Sequence, residues 1–247
     1  MKKANKILKN FLKKNQFVYR KLQQIKKLYE SVYLKYFAGS KEEIFKNIYL
    51  KNKWLDKDSV SGTGSNLEQT KNLKIELSKF IRNKEIKSIL DIPCGDFYWM
   101  KEVNLDKIDY IGADIVPDLI YKNRNLYSKE NISFEILDIT KDQLPSSDII
   151  FCRDCLVHLS FEDIFKSLNN IKKGSFKFFI TTNFLNREIN EDIETGSWRT
   201  INFYKSPFNF PESIEDINEK CTEAGNKYKD KVLSVWNLDS IPFYYKF

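Results

Sequence analysis

Between residues 87 and 182 the chain alternates short apolar runs with helix-patterned stretches, and this alternation limits its fold more than any other feature. Lys87-Ser-Ile-Leu-Asp-Ile92, Asp109-Tyr-Ile-Gly-Ala-Asp114, Ile132-Ser-Phe-Glu-Ile-Leu-Asp138, Asp148-Ile-Ile-Phe-Cys152 and Ser175-Phe-Lys-Phe-Phe-Ile-Thr-Thr182 read as strands. Helices are expected over about 117–128 and Phe161–Ile171, with a short one from Phe97 to Val103. Strands separated by helices must pair in parallel through right-handed crossovers, so the chain is expected to form a doubly wound α/β sheet. Val232–Leu238 and Phe243–Phe247 read as two further strands, giving a mostly parallel sheet of seven, and residues 212–224 read as a helix. Ahead of the first strand, Ser65 and Glu68 have the spacing of a capping box, which places a helix from about residue 66 to Asn83.

The N-terminal region is different in kind. Apolar residues from Ile7 to Tyr36 recur in steps of three and four, as on one face of a helix, with lysines on the other. Net charge is +7, yet residues 1–35 hold eleven Lys+Arg against Glu30 alone. The remaining 30 basic and 33 acidic residues leave the body at −3, which argues against a nucleic-acid-binding body. The division expected is a basic helical arm over 1–58 and a catalytic domain over 59–247. Two uses of the arm stay open: packing on the core or a partner subunit, and peripheral contact of residues 1–36 with an anionic membrane surface. No run approaches the ~18 apolar residues of a spanning helix, and lysines interrupt any signal-peptide core. A cytoplasmic protein, at most at the inner membrane surface, is the expectation.

Four cysteines are too few for a disulfide scaffold, and Cys152-x-x-Cys155 has no second ligand pair, so reduced thiols and no metal site are expected. The first three strands each end on an acid: Asp91, Asp114 and Asp138. Ligands of open parallel sheets bind beyond the carboxyl ends of the strands, and Asp114 lies 19 residues after Gly95, near the interval at which a carboxylate meets ribose hydroxyls. A nucleoside-containing cofactor accounts for all three acids, while the missing GxGxxG disfavours a dehydrogenase.

The segments Asp91-Ile-Pro-Cys-Gly-Asp-Phe97, Gly112-Ala-Asp-Ile115, Leu137-Asp-Ile139 and Cys152-Arg-Asp-Cys-Leu-Val-His-Leu159 together resemble class I S-adenosylmethionine-dependent methyltransferases. With Ser61–Thr70 and Thr195-Gly-Ser-Trp-Arg199 added, the chain is similar to a bacterial methyltransferase family associated with surface-polysaccharide biosynthesis. The resemblance implies a Rossmann-like methyltransferase fold with S-adenosylmethionine as cofactor. It implies that Asp91 and the turn Pro93, Cys94, Gly95 and Asp96 hold the methionine end. Asp114 then meets the ribose, Asp138 the adenine amino group, and Ile115 and Ile139 pack the base. Pro93 and Phe97 stand where the family has glycines, and Phe97 is expected to hinder close backbone approach.

Chemistry is expected at the end of the fourth strand. A helical turn there would place Asp154 and His158 on one face, with His158 as a base and Asp154 activating a hydroxyl or orienting His158. Arg153 is a candidate for the cofactor carboxylate or an anionic substrate. Ser61, Ser65, Thr182, Asn183, Trp198 and Arg199 are candidate acceptor contacts. The acceptor implied is a small molecule, foremost a hydroxyl of a sugar, sugar nucleotide or phosphorylated glycan precursor. N-methylation of an amine, or a catalytically silent partner protein docked by its basic arm, are the alternatives.

Overall fold

Residues 16–242 are described by the computed structural model of the chain. Seven strands form one sheet in the order β3-β2-β1-β4-β5-β7-β6. They are β1 (Ser88–Asp91), β2 (Asp109–Asp114), β3 (Ile132–Ile136), β4 (Ser147–Cys152), β5 (Phe176–Phe184), β6 (Glu215–Asn218) and β7 (Lys231–Asn237). β1 pairs in parallel with both β2 and β4, so the chain reverses direction across the sheet between β1 and β4. β7 runs antiparallel to both β5 and β6. The doubly wound, mostly parallel sheet of seven is as the sequence predicts.

Both faces of the sheet are covered because neighbouring strand residues point to opposite sides. Leu90, Ile150, Phe179 and Trp236 belong to one core with Ile164, Phe165, Leu168 and Ile171 of the helix Phe161–Lys173. Ile89, Ile149, Ile180 and Val235, each one residue away, belong to the other core with Leu73, Leu77, Phe80 and Ile81. Each such fully buried side chain is stabilised by about 1.5–3 kcal/mol relative to exposure. The helix Phe161–Lys173 starts where Ser160 Oγ accepts the Asp163 N–H (3.2 Å), and it has Glu162 and Asp163 in its first turn and Lys172 and Lys173 in its last. That charge order suits the helix dipole.

The described helices of four turns or fewer, and the long N-terminal one, are α1 (Gln16–Phe37), α2 (Lys41–Leu50), α3 (Lys71–Asn83), α4 (Pro117–Tyr127), α5 (Phe161–Lys173) and the single turn α6 (Glu223–Asn226). The chain divides after Gly39 into two compact units. Residues 40–58, expected in the arm, therefore belong to the unit that carries the sheet.

Several local expectations fail for physical reasons. α3 starts at Lys71 instead of residue 66, and Thr70 makes no side-chain cap. Ser65 sits in a short 3-10 turn, so the Ser65/Glu68 box does not form. The capping box that does form is Ser40 with Glu43, in which each side chain accepts the other residue's backbone N–H (3.2 and 2.7 Å). Residues 97–103 make only the 3-10 turn Met100–Glu102. The segment 212–224, read as a helix, contains β6 instead. Three of its four residues are exposed, and pairing with β7 overrides the local polar pattern. Residues 1–15 and the strand expected over 243–247 lie outside the described residues.

Candidate active site

The turn after β1 is built around one glycine. Gly95 has φ +56°, and a Cβ there would lie 2.2 Å from Ser61 Oγ. A Cβ there would meet both the strain of a left-handed backbone and Ser61 Oγ, which would have to shift. Asp96 ties the turn to the preceding loop by accepting from Ser59 Oγ (3.0 Å), Val60 N (3.0 Å) and Ser61 Oγ (3.2 Å). Phe97 also has a left-handed backbone, φ +56°, and its ring is buried against Tyr110, Tyr127 and Phe134 at 5.1–5.4 Å. The hindrance expected from Phe97 therefore does not arise, because its side chain leaves the turn for the core. Pro93, Cys94, Gly95 and Asp96 all line one cleft of about 1150 Å³, open solvent at its mouth included.

Asp91, Asp114 and Asp138 line the same cleft, with Ile115, Leu119 and Ile139 supplying apolar wall between them. Tyr110 Oη donates to Asp91 Oδ2 at 2.5 Å, while burial pushes that carboxyl up to about 7. Asp114 accepts from Val116 N (3.0 Å) and Gly95 N (3.3 Å), and burial pushes it up to about 6 despite these bonds. Asp138 Oδ1 accepts from Thr140 N (2.9 Å) and Thr140 Oγ1 (2.7 Å), and its Oδ2 lies 3.5 Å from Lys41 Nζ. Two desolvated carboxyls with raised pKa values, facing a cleft, are held at an energetic cost that a hydrogen-bonding ligand would relieve.

At the end of β4 the structure departs from expectation. Residues 153–155 form a turn and Leu156–His158 a 3-10 turn, so Asp154 and His158 do not share a helical face. Arg153 donates to Glu219 (2.6 and 3.3 Å) and to Gly64 O (2.8 Å), and its guanidinium lies 5.5 Å from the Trp99 ring. It borders the cleft, but those donors are engaged within the protein. Lys231 Nζ reaches Asp154 Oδ2 (2.6 Å) and lies 3.5 Å from Glu219, and Arg153 Nη1 is 3.3 Å from Asp154. Burial alone would raise the Asp154 carboxyl, but Lys231 and Arg153 outweigh it and hold the group well below the usual carboxylate range. A carboxylate held ionised in this way is a poor proton acceptor at neutral pH. Asp154 is thus held as a charge paired with Lys231 and Arg153, an arrangement that suits a positioning carboxylate better than a base.

His158 is half-buried and borders the cleft. Its Nδ1 lies 2.8 Å from Ser197 O, an acceptor, which assigns the proton to Nδ1 and leaves the Nε2 lone pair open. Burial lowers its pKa from the ordinary value, ahead of the opposing pull of Ser197 and Asp154, so the ring is neutral at pH 7. The Trp54 ring lies 5.0 Å away.

Most of the expected acceptor contacts serve structure. Ser61 and Ser65 border the cleft. Thr182 is buried, and its Oγ1 accepts from Asp154 N (2.8 Å) and donates to Asp154 Oδ1 (3.2 Å). Asn183 is fully buried, bonded to Ser234 Oγ and Phe203 N. Trp198 packs edge-on to Phe184 and Tyr228 and is not among the cleft residues. Arg199 spends its guanidinium on Leu156 O (2.8 Å), Leu159 O (2.6 Å) and Glu191 O (3.2 Å), and burial lowers its pKa to about 10. With Gly196 N donating to His158 O (2.8 Å), the 196–199 loop braces the His158 turn.

The sequence reading missed one wall of the cleft altogether: Lys41, Phe45 and Tyr49 of α2, with Trp54 after it. The Ser40-x-x-Glu43 box was the signal that a helix begins there. Glu219 and Lys231 were missed because they reach Arg153 and Asp154 from the end of β6 and from β7, distant in sequence, and no local motif announces them. The four cysteines are free thiols. Among the described residues no group of three or more His, Cys, Asp or Glu is placed to hold a metal.

No protein-family model and no curated protein matches the chain. Among solved structures, human N-acetylserotonin methyltransferase in complex with S-adenosylmethionine superposes with a TM-score of 0.55 at 16% identity, over 83% of this chain and 61% of that one. The fold is the Rossmann-like methyltransferase fold. The N-methyltransferase NodS from Bradyrhizobium japonicum, in complex with S-adenosylhomocysteine, has a TM-score of 0.44 at 15% identity, over 56% of this chain and 74% of that one. The amino pentose methyltransferase CalS10 from Micromonospora echinaspora scores 0.39 at 13% identity, over 44% and 49%. The chain spans about three fifths of the length of the human enzyme.

The residues present fit the cofactor of that fold. Two desolvated carboxyls, a third at Asp138, a glycine turn with no room for a Cβ and the Ile115/Ile139 wall form one continuous surface.

Proposed function

We propose that this chain is an S-adenosylmethionine-dependent O-methyltransferase acting on a hydroxyl of a small acceptor. The observation that carries the proposal is the His158 ring, neutral, tautomerically fixed by Ser197 O and bordering the cleft beside the row of acids. Bound S-adenosylmethionine supplies an activated methyl group. Of the cleft residues, Asp114 would accept from the vicinal ribose hydroxyls, Asp138 with Ile115 and Ile139 would border the adenine, and Asp91 with residues 93–96 would hold the amino-acid end. His158 Nε2 takes the proton of the acceptor hydroxyl as the oxygen becomes nucleophilic, and Ser197 O steadies the imidazolium that results. Arg153, Glu219, Lys231 and Asp154 form an ion-pair cluster whose two positive and two negative charges compensate internally.

The acceptor we favour is a sugar hydroxyl, free, nucleotide-linked or phosphorylated, as in surface-glycan precursors. Trp54 supports this, since an indole face beside the base suits the apolar face of a sugar ring. The test is methyl transfer from S-adenosylmethionine to a panel of sugars and sugar nucleotides, read by mass, for wild type and His158→Gln. The variant should lose about 10²–10⁴ in kcat while still binding S-adenosylhomocysteine. An undiminished rate in the variant would mean that the acceptor needs no base, as for a deprotonated amine.

A further inference from the structure

We infer that α1 is a membrane-surface anchor that docks the protein on anionic lipid. Leu22, Ile25, Leu28, Tyr29, Tyr33 and Tyr36 are all exposed. At helical spacing they fall within about 140° of the helix circumference. Ile25, Leu28, Tyr29 and Tyr36 each leave more than 60% of their surface accessible. An apolar stripe of this extent on a helix about 33 Å long requires a covering surface.

Charge identifies that surface. Within residues 16–37 the sequence has Arg20, Lys21, Lys26, Lys27 and Lys35 against one acid, Glu30. Lys21, Lys26 and Lys35 are exposed; Lys26 and Lys35 flank the apolar stripe, Lys21 stands at its N-terminal end, and Glu30 lies 3.7 Å from Lys26. A second copy of the same helix would bring lysines against lysines with one acid per helix to offset them. A sheet of anionic headgroups offsets all of them while the stripe enters the acyl boundary. Tyrosines suit that boundary, with an apolar ring and a hydroxyl that stays at headgroup level. The helix lies on the bilayer and does not cross it, since no described helix is long and apolar enough to span one.

The experiment is co-sedimentation of the full chain with vesicles of phosphatidylcholine alone and of phosphatidylcholine mixed equally with phosphatidylglycerol. With a net +4 on the helix, binding to the anionic vesicles should be stronger by up to about a thousandfold and should weaken steeply towards ~0.5 M salt. The variant K21E/K26E/K35E should lose that preference, and I25S/L28S should lose binding with its charges intact. The unfolding transition of the sheet-bearing unit should be unchanged in both, which separates lost docking from lost folding. Equal binding to the two vesicle types would overturn the proposal, as would variants that sediment like wild type. So would lipid-independent self-association that disappears in I25S/L28S, because a second copy would then cover the stripe.

Discussion

Asp91→Asn should make the free protein more stable and abolish its cofactor site. Burial pushes the Asp91 carboxyl from 3.8 up to about 7, against the opposing effects of Tyr110 and Arg153. Between those two values the native state holds a proton that the unfolded chain has released, so stability falls as pH rises through this window. Above pH 7 the native carboxylate is charged and the whole penalty is present. It amounts to on the order of 4 kcal/mol at pH 8, and to under about 2 kcal/mol at pH 5, where the native group is already protonated. Asparagine has the shape of the neutral acid and its Oδ1 still accepts from Tyr110 Oη, so it removes the penalty without opening a cavity. Urea denaturation of both proteins near pH 8 and near pH 5 measures the gain and its decline with acidity. A variant less stable than wild type near pH 8, or an equal gain at both pH values, would refute the reasoning. Calorimetry on the same samples should show S-adenosylhomocysteine binding lost, which would mark Asp91 as a group kept for ligand binding at the expense of stability.

Gly95→Ala should destabilise the protein by about 1–3 kcal/mol and weaken S-adenosylhomocysteine binding more than tenfold, because the left-handed backbone and Ser61 Oγ both reject a Cβ. Denaturation midpoints and titration calorimetry would check both effects. Glu219→Gln removes one carboxylate from a cluster in which Arg153 and Lys231 are nearly inaccessible, and a loss of about 3–5 kcal/mol is expected in urea unfolding. Cofactor affinity should also fall with acidity. Asp91 and Asp114, raised to about 7 and about 6, must both ionise to hold the cofactor, so the dissociation constant should begin to rise below pH 7 and steepen below pH 6.

The parallel sheet was legible because buried strands are short apolar runs, and the acids that end β1 and β2 interrupt those runs at the cleft. Asp91 and Asp114 were legible for the same reason. Asp138 differs from the third strand-end acid the sequence suggests: β3 stops at Ile136, and Asp138 borders the cleft from the loop two residues beyond it. β6 was not, since an exposed edge strand with one buried residue carries almost no apolar period. Phe97 was misread because the turn needs a left-handed backbone, not a missing side chain. Phenylalanine adopts that backbone at some cost in strain and turns its ring into the core. Arg199 and Asn183 look like ligand contacts by residue type, but buried loops must satisfy their own carbonyls and amides, and these two side chains do that work. The Lys231–Asp154 pair joins residues 77 positions apart, and only the folded sheet brings them together.

Titration calorimetry of S-adenosylhomocysteine into the full chain near pH 8, with Asp114→Ala alongside, tests the cofactor assignment most directly. One site of micromolar affinity in the wild type, lost in the variant, is expected. No heat of binding in the wild type, or equal binding in the variant, would contradict a cofactor held by the acids at the strand ends.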